Sequence, residues 1–106
     1  MLQLPNPSEL VSFEVLSFYI DELTRRMATD RRPTLADRRD ELQFKVQLIQ
    51  TQVQAGILTQ QAYVAQIEAR IAADRAAALE AKQAGQRARA LEHLRRAKIM
   101  EKELAS

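Results

Sequence analysis

Apolar positions recur at three- and four-residue intervals along most of this chain. Leu10, Phe13, Leu16, Ile20, Leu23 and Met27 form a first stripe, which Val11, Val15 and Phe18 widen. Side chains three and four apart share one face of an α-helix, so the pattern predicts an amphipathic helix. Pro7 or Ser8 can open it, because proline suits a first helical position. It runs to about Thr29, and Asp30-Arg31-Arg32-Pro33 ends it, since a residue before proline avoids the α region.

Thr34 is the expected N-cap of a second helix, with Asp37 three residues on as a variant of the capping box. Leu35, Leu42, Val46, Ile49 and Val53 then make a short coiled-coil-like seam. Gly56 fits a residue just past a helix end. After Ile57 and Leu58 in the turn, Thr59 is the expected cap of a third helix. Its stripe is Tyr63, Ile67 and Ile71, with Val64 beside it. From Ala72 to Ala84 it becomes mostly alanine, which lets helices approach closely, and Leu79 is the one large apolar side chain there. Gly85 ends this helix or bends it into the next. A fourth helix from about Arg87 carries Leu91, Leu94, Ala97, Met100 and Leu104. It shows no capping signal before Ser106, as expected of a piece of a longer protein.

The expectation is an all-α chain with helices near 8–29, 34–55, 59–84 and 87–104. Connections this short make neighbours antiparallel. Hairpins 8–55 and 59–104 would form one helical module over 1–106, as a four-helix bundle or an elongated coiled-coil-like arrangement.

Composition supports this picture and narrows it. Two glycines and three prolines in 106 residues leave room for only a few long segments. The cysteine count of zero excludes a disulfide scaffold and thiolate metal sites, and it fits a reducing compartment. No apolar run reaches the roughly 18 residues of a membrane span. The opening Met1–Pro5 lacks the basic and apolar regions of a signal peptide, so a cytoplasmic location is expected.

No constellation for catalysis emerges. His93 is the only histidine, and beside Glu92 on a charged helix it reads as a solvated surface residue. Ser8, Ser12, Ser17 and Ser106 have no histidine near them in sequence. No phosphate-binding loop or metal-ligand spacing occurs, so catalytic residues, metal ligands and cofactors are not expected. Asp21-Glu22 and Asp40-Glu41 lie among arginines and read as partners in i,i+4 ion pairs.

Charge and apolar faces point to binding instead. The net charge is +2, yet the basic character concentrates at the C-terminal end. Lys82, Arg87, Arg89, Arg95, Arg96, Lys98 and Lys102 stand there against Glu92, Glu101 and Glu103. These seven are the candidate partner contacts, and an acidic protein helix suits them best. An anionic membrane surface comes second. Nucleic acid comes last, because no aromatic follows Tyr63 to stack on bases. Phe13, Phe18 and Tyr19 point to more than one side of the first helix. With the seam residues Leu42, Val46, Ile49 and Val53 they are either the centre of a bundle or the contacts of a homodimer.

The last third carries a resemblance. Ala77-Ala78-Leu79, Ala81-Lys82, Gly85, Leu94-Arg95 and Ala97-Lys98 follow in order. This resembles the charge-rich helical-hairpin repeat of the coiled-coil and C2-domain proteins, the lethal giant discs family, over residues 74–106. That repeat has an aromatic-lysine pair ahead of its alanines, where this chain has Asp74-Arg75. The resemblance implies a membrane-trafficking scaffold or adaptor that binds an acidic helix of ESCRT-III subunits through a basic hairpin. Lys82, Arg95 and Lys98 are the contacts it implies; Arg87, Arg89, Arg96 and Lys102 rest on charge alone. The competing expectation is a coiled-coil assembly segment of a cytoskeletal, centrosomal or ciliary complex.

Overall fold

The computed structural model describes residues 4–106. Met1–Gln3, part of the stretch scanned for a signal peptide, lie outside the described residues. The fold is all-helical, with α1 at Phe13–Met27, α2 at Pro33–Gln54, α3 at Gln60–Gln83 and α4 at Arg87–Ala105. Two compact units divide the chain, Met1–Thr59 and Gln60–Ser106. In the first, α1 packs on α2; in the second, α3 packs on α4.

The first helix begins five residues later than its apolar stripe suggests. Asn6 accepts from the Ser8 backbone N–H at 3.1 Å, and Pro7–Glu9 form a single 3-10 turn. Leu10 is extended and buried. Ser12, fully buried, then caps α1 by accepting from the Val15 N–H at 3.1 Å. Two local polar caps thus divide the chain where the spacing of apolar residues continues. Arg38 donates to the Pro5 carbonyl and ties this entry segment to α2.

The core of the first unit is Leu10, Val15, Leu16, Tyr19 and Leu23 against Leu35, Leu42 and Ile49. Phe18 meets Tyr19 edge to face at 5.3 Å between ring centres, a favoured aromatic geometry. Helix α2 starts one residue before the expected Thr34 cap. Proline occupies its first turn and Arg32 is the N-cap, at ψ 132°. The ring of Pro33 presets the helical φ while forcing Arg32 to stay extended, so Thr34 sits inside the helix. Arg32 also donates to the Asp30 carboxylate at 2.7–3.2 Å, which holds that carboxyl below its ordinary range.

Both glycines end helices in the left-handed conformation, Gly56 at φ 74° and Gly85 at φ 75°. At each, two backbone bonds close the last turn. Ile57 donates to Gln52 at 2.9 Å and Gly56 to Val53 at 3.1 Å; Gln86 donates to Ala81 at 2.8 Å and Gly85 to Lys82 at 3.1 Å. This Schellman closure satisfies carbonyls that would otherwise lack partners. Gly85 therefore ends α3 and does not bend it onward.

Helices α3 and α4 are antiparallel. Tyr63, near the start of α3, donates to Glu103 at the end of α4 at 2.6 Å, and Arg75 meets Glu101 at 2.6 Å. Ile67, Ala78 and Ala81 face Ala90, Ala97 and Met100, all buried. Leu79 and Leu91, placed by spacing on the apolar stripes, are each 57 % exposed. The small residues one position away hold the contact, and the leucines are displaced to the outer edge.

Ser12→Ala should lower stability by about 1–2 kcal/mol, through loss of a buried N-cap. Leu42→Ala should lower it by about 2–5 kcal/mol. Urea unfolding followed by circular dichroism measures both.

Candidate functional site

Successive helical residues turn by about 100°. Arg87, Leu91, Arg95, Lys98 and Lys102 consequently share roughly one quarter of the circumference of α4. All five are exposed, while Ala90, Ala97 and Met100 on the opposite side are buried against α3. Arg95 lies 3.7 Å from Glu92, and its side chain is half exposed. Among the described residues, Arg87, Lys98 and Lys102 take part in no ion pair. At the closed end of the hairpin this stripe borders a concavity of about 550 Å³, lined by Lys82, Gly85, Arg87, Ala90, Leu91 and Leu94. The Gly85 turn brings Lys82, from α3, beside residues of α4. The surface combines positive charge with exposed leucine.

Two of the seven candidate cations fall elsewhere. Arg96 is only 7 % exposed, buried on the inner part of α4, which corrects its assignment as a partner contact. Charge alone placed it on the surface, whereas its position one residue before Ala97 turns it towards α3. Arg89 is exposed but lies on the far side from the stripe. Arg87, Arg95, Lys98 and Lys102 share the stripe, and Lys82 lies beside its Arg87 end at the concavity.

The candidate self-association residues are also redistributed. Tyr19, Leu42 and Ile49 are buried within the first unit, and Phe13, Phe18 and Val46 are half-buried. Their stripe is consumed by packing α1 against α2, so the buried three are unavailable to a second chain. Val53 is 45 % exposed. The apolar residues that α2 does expose are Phe44 at 67 % and Leu48 at 41 %. They share the face of Asp37, Asp40 and Glu41, opposite the Leu35–Ile49 seam. They could have been found in the sequence by noting that Phe44 lies half a turn off that seam.

A polar cluster that the sequence did not disclose lies inside the second unit. Asp74 is 1 % exposed, and His93 Nδ1 donates to its Oδ1 at 2.9 Å. Arg70 donates to the same oxygen at 3.4 Å. Asp74 Oδ2 and Arg70 Nε are buried without hydrogen-bond partners. The His93 side chain is 14 % exposed, which corrects its reading as a solvated residue. The signal was positional: Asp74 stands seven residues after Ile67 and four before Ala78, and His93 four before Ala97. Such spacing places both on the inner faces. This contact joins the inner faces of α3 and α4 at one register.

Glu22 and Glu41 engage arginines three residues away instead of four, Arg25 and Arg38, and Asp40 lies 3.9 Å from its neighbour Arg39. Among the described residues no group of three or more His, Cys, Asp or Glu side chains could hold a metal ion. Comparison with known proteins gives no match to a family model, to a curated protein or to a solved structure.

His93→Ala should destabilise the chain by about 1–3 kcal/mol, because it leaves a buried carboxylate short of donors. Replacing Asp74 and His93 together by leucine should recover part of that loss. Thermal and urea melts of the two variants measure the difference.

Proposed function

We propose that this chain is a non-enzymatic interaction module that binds an acidic amphipathic helix on the exposed face of α4. The observation that carries the reading is Leu91, 57 % exposed within a stripe of Arg87, Arg95, Lys98 and Lys102. Lone cations on a helix serve solvation. A leucine held in water among cations gives a partner an apolar anchor, and the charges around it set approach and orientation. The half-turn at Gly85 adds Lys82 and the concavity, which gives the site a closed end.

The resemblance of residues 74–106 to the lethal giant discs repeat supports an acidic ESCRT-III helix as the partner, with the chain serving a trafficking scaffold as an adaptor. Lys82, Arg95 and Lys98, the contacts that the resemblance implies, are exposed. No described helix is long and apolar enough to cross a membrane. A cytoplasmic setting belongs to the proposal and rests on the cysteine-free composition.

A fluorescent synthetic peptide, helical and amphipathic with glutamates flanking a leucine stripe, tests the reading by anisotropy. Arg95→Glu with Lys98→Glu should weaken binding by about tenfold or more. Arg89→Glu, off the stripe, should leave it unchanged, and circular dichroism should remain helical for both. Equal affinity of wild type and the Arg95/Lys98 variant would end the proposal.

A further inference from the structure

The second unit has a basic-apolar stripe, and the first has its chemical counterpart. On α4 the stripe residues after Arg87 are Leu91, Arg95, Lys98 and Lys102, at spacings of four, three and four. On α2, Asp37, Glu41, Phe44 and Leu48 repeat the same four-three-four spacing. All eight side chains are exposed. Each run spans about 17 Å at the rise of an α-helix, so the two can be laid against each other position for position.

Direction decides what meets what. Laid parallel, Arg95 would face Glu41 and Lys98 would face Phe44, but Leu91 would face Asp37 and Lys102 would face Leu48, which strands both leucines against charges. Laid antiparallel, Lys102 faces Asp37, Lys98 faces Glu41, Arg95 faces Phe44 and Leu91 faces Leu48. That register gives two opposite-charge pairs, one cation over an aromatic face and one leucine pair. Asp40, beside Glu41 on the same face of α2, adds a further negative charge. Pairing α4 with a second α4 would oppose like charges. Pairing α2 with α2 antiparallel would set Asp37 on Leu48. The self-complementary choices are both poor, and the unlike choice satisfies all four positions.

We infer that the acidic helix docked by the α4 stripe is α2 of a second copy of this chain. The inference rests on the proposed binding of an acidic helix and names its occupant. Because two different faces meet, the contact is heterologous: a pair keeps one free α2 stripe on one copy and one free α4 stripe on the other, so association continues beyond a pair. The contact is small and its charges are exposed, so it is weak and salt-sensitive.

Sedimentation velocity of the full chain at rising concentration is the test. The wild type should shift to larger species with concentration, and less so at high salt. Neutralising α4 (Lys98→Gln with Lys102→Gln) or α2 (Asp37→Asn with Glu41→Gln) should lower the association constant about tenfold. Mixing the two neutralised variants should restore one intact α4–α2 contact and yield a 1:1 complex that grows no further. A sedimentation coefficient that stays flat with concentration overturns the inference, as does a mixture that remains unassociated. The acidic peptide separates the two levels. Peptide binding by a chain that does not self-associate leaves the proposed function standing with a different protein as occupant. Loss of both removes the proposed function too.

Discussion

Within each two-helix unit, a helix buries the stripe it turns to its partner helix. That constraint sets most of what this chain displays. In the first unit the Leu35–Leu42–Ile49 seam is spent on α1, so Phe44 and Leu48, half a turn away, face water. In the second unit the alanine faces of α3 and α4 close on each other, and Leu79 and Leu91 are displaced outward. Side chains that a larger core would absorb become surface here. The exposed leucine that anchors the proposed site is a consequence of the same geometry that builds the hairpin.

Alanine contacts bring helices close but specify rotation poorly, because small side chains interdigitate little. The polar cluster supplies what they lack. Asp74 and His93 meet from opposite helices at 2.9 Å, and a buried carboxylate tolerates few alternative alignments. Arg75–Glu101 and Tyr63–Glu103 mark the same antiparallel alignment farther along. Fixing the rotation of α4 matters for its outer face. A turn of 100° would bring Arg96 out and Leu91 under, and the stripe would lose its apolar residue.

The helices were legible in the sequence because stripe spacing and breakers act locally. Gly56 and Gly85 fall where only a residue free of a Cβ accepts φ near 75° without cost. The start of α1 was not legible from spacing, since apolar residues continue through Leu10 and Val11 while Ser12 sets the boundary by one hydrogen bond. For the candidate site, four of the seven cations share the α4 stripe and Lys82 borders its end, but Arg89 and Arg96 lie elsewhere. A charge label carries no angular information, and the fold is decided by angle. His93 was misplaced for the same reason, because its identity suggested water while its heptad position suggested the interior.

Nucleic acid and protein make different demands on a basic helix, and Leu91 distinguishes them. Phosphate binding rewards cations along a tracked backbone and gains nothing from an exposed leucine between them. A partner helix rewards both at a spacing that keeps one seam in contact. The four-three-four spacing of Leu91, Arg95, Lys98 and Lys102 is that of a helix seam, with the leucine toward one end and cations toward the other. A polar gradient along a seam sets direction as well as affinity, since only one orientation brings apolar ends together. On the proposed reading, the outer face of α4 serves as half of a helix–helix contact and not as a phosphate-binding patch.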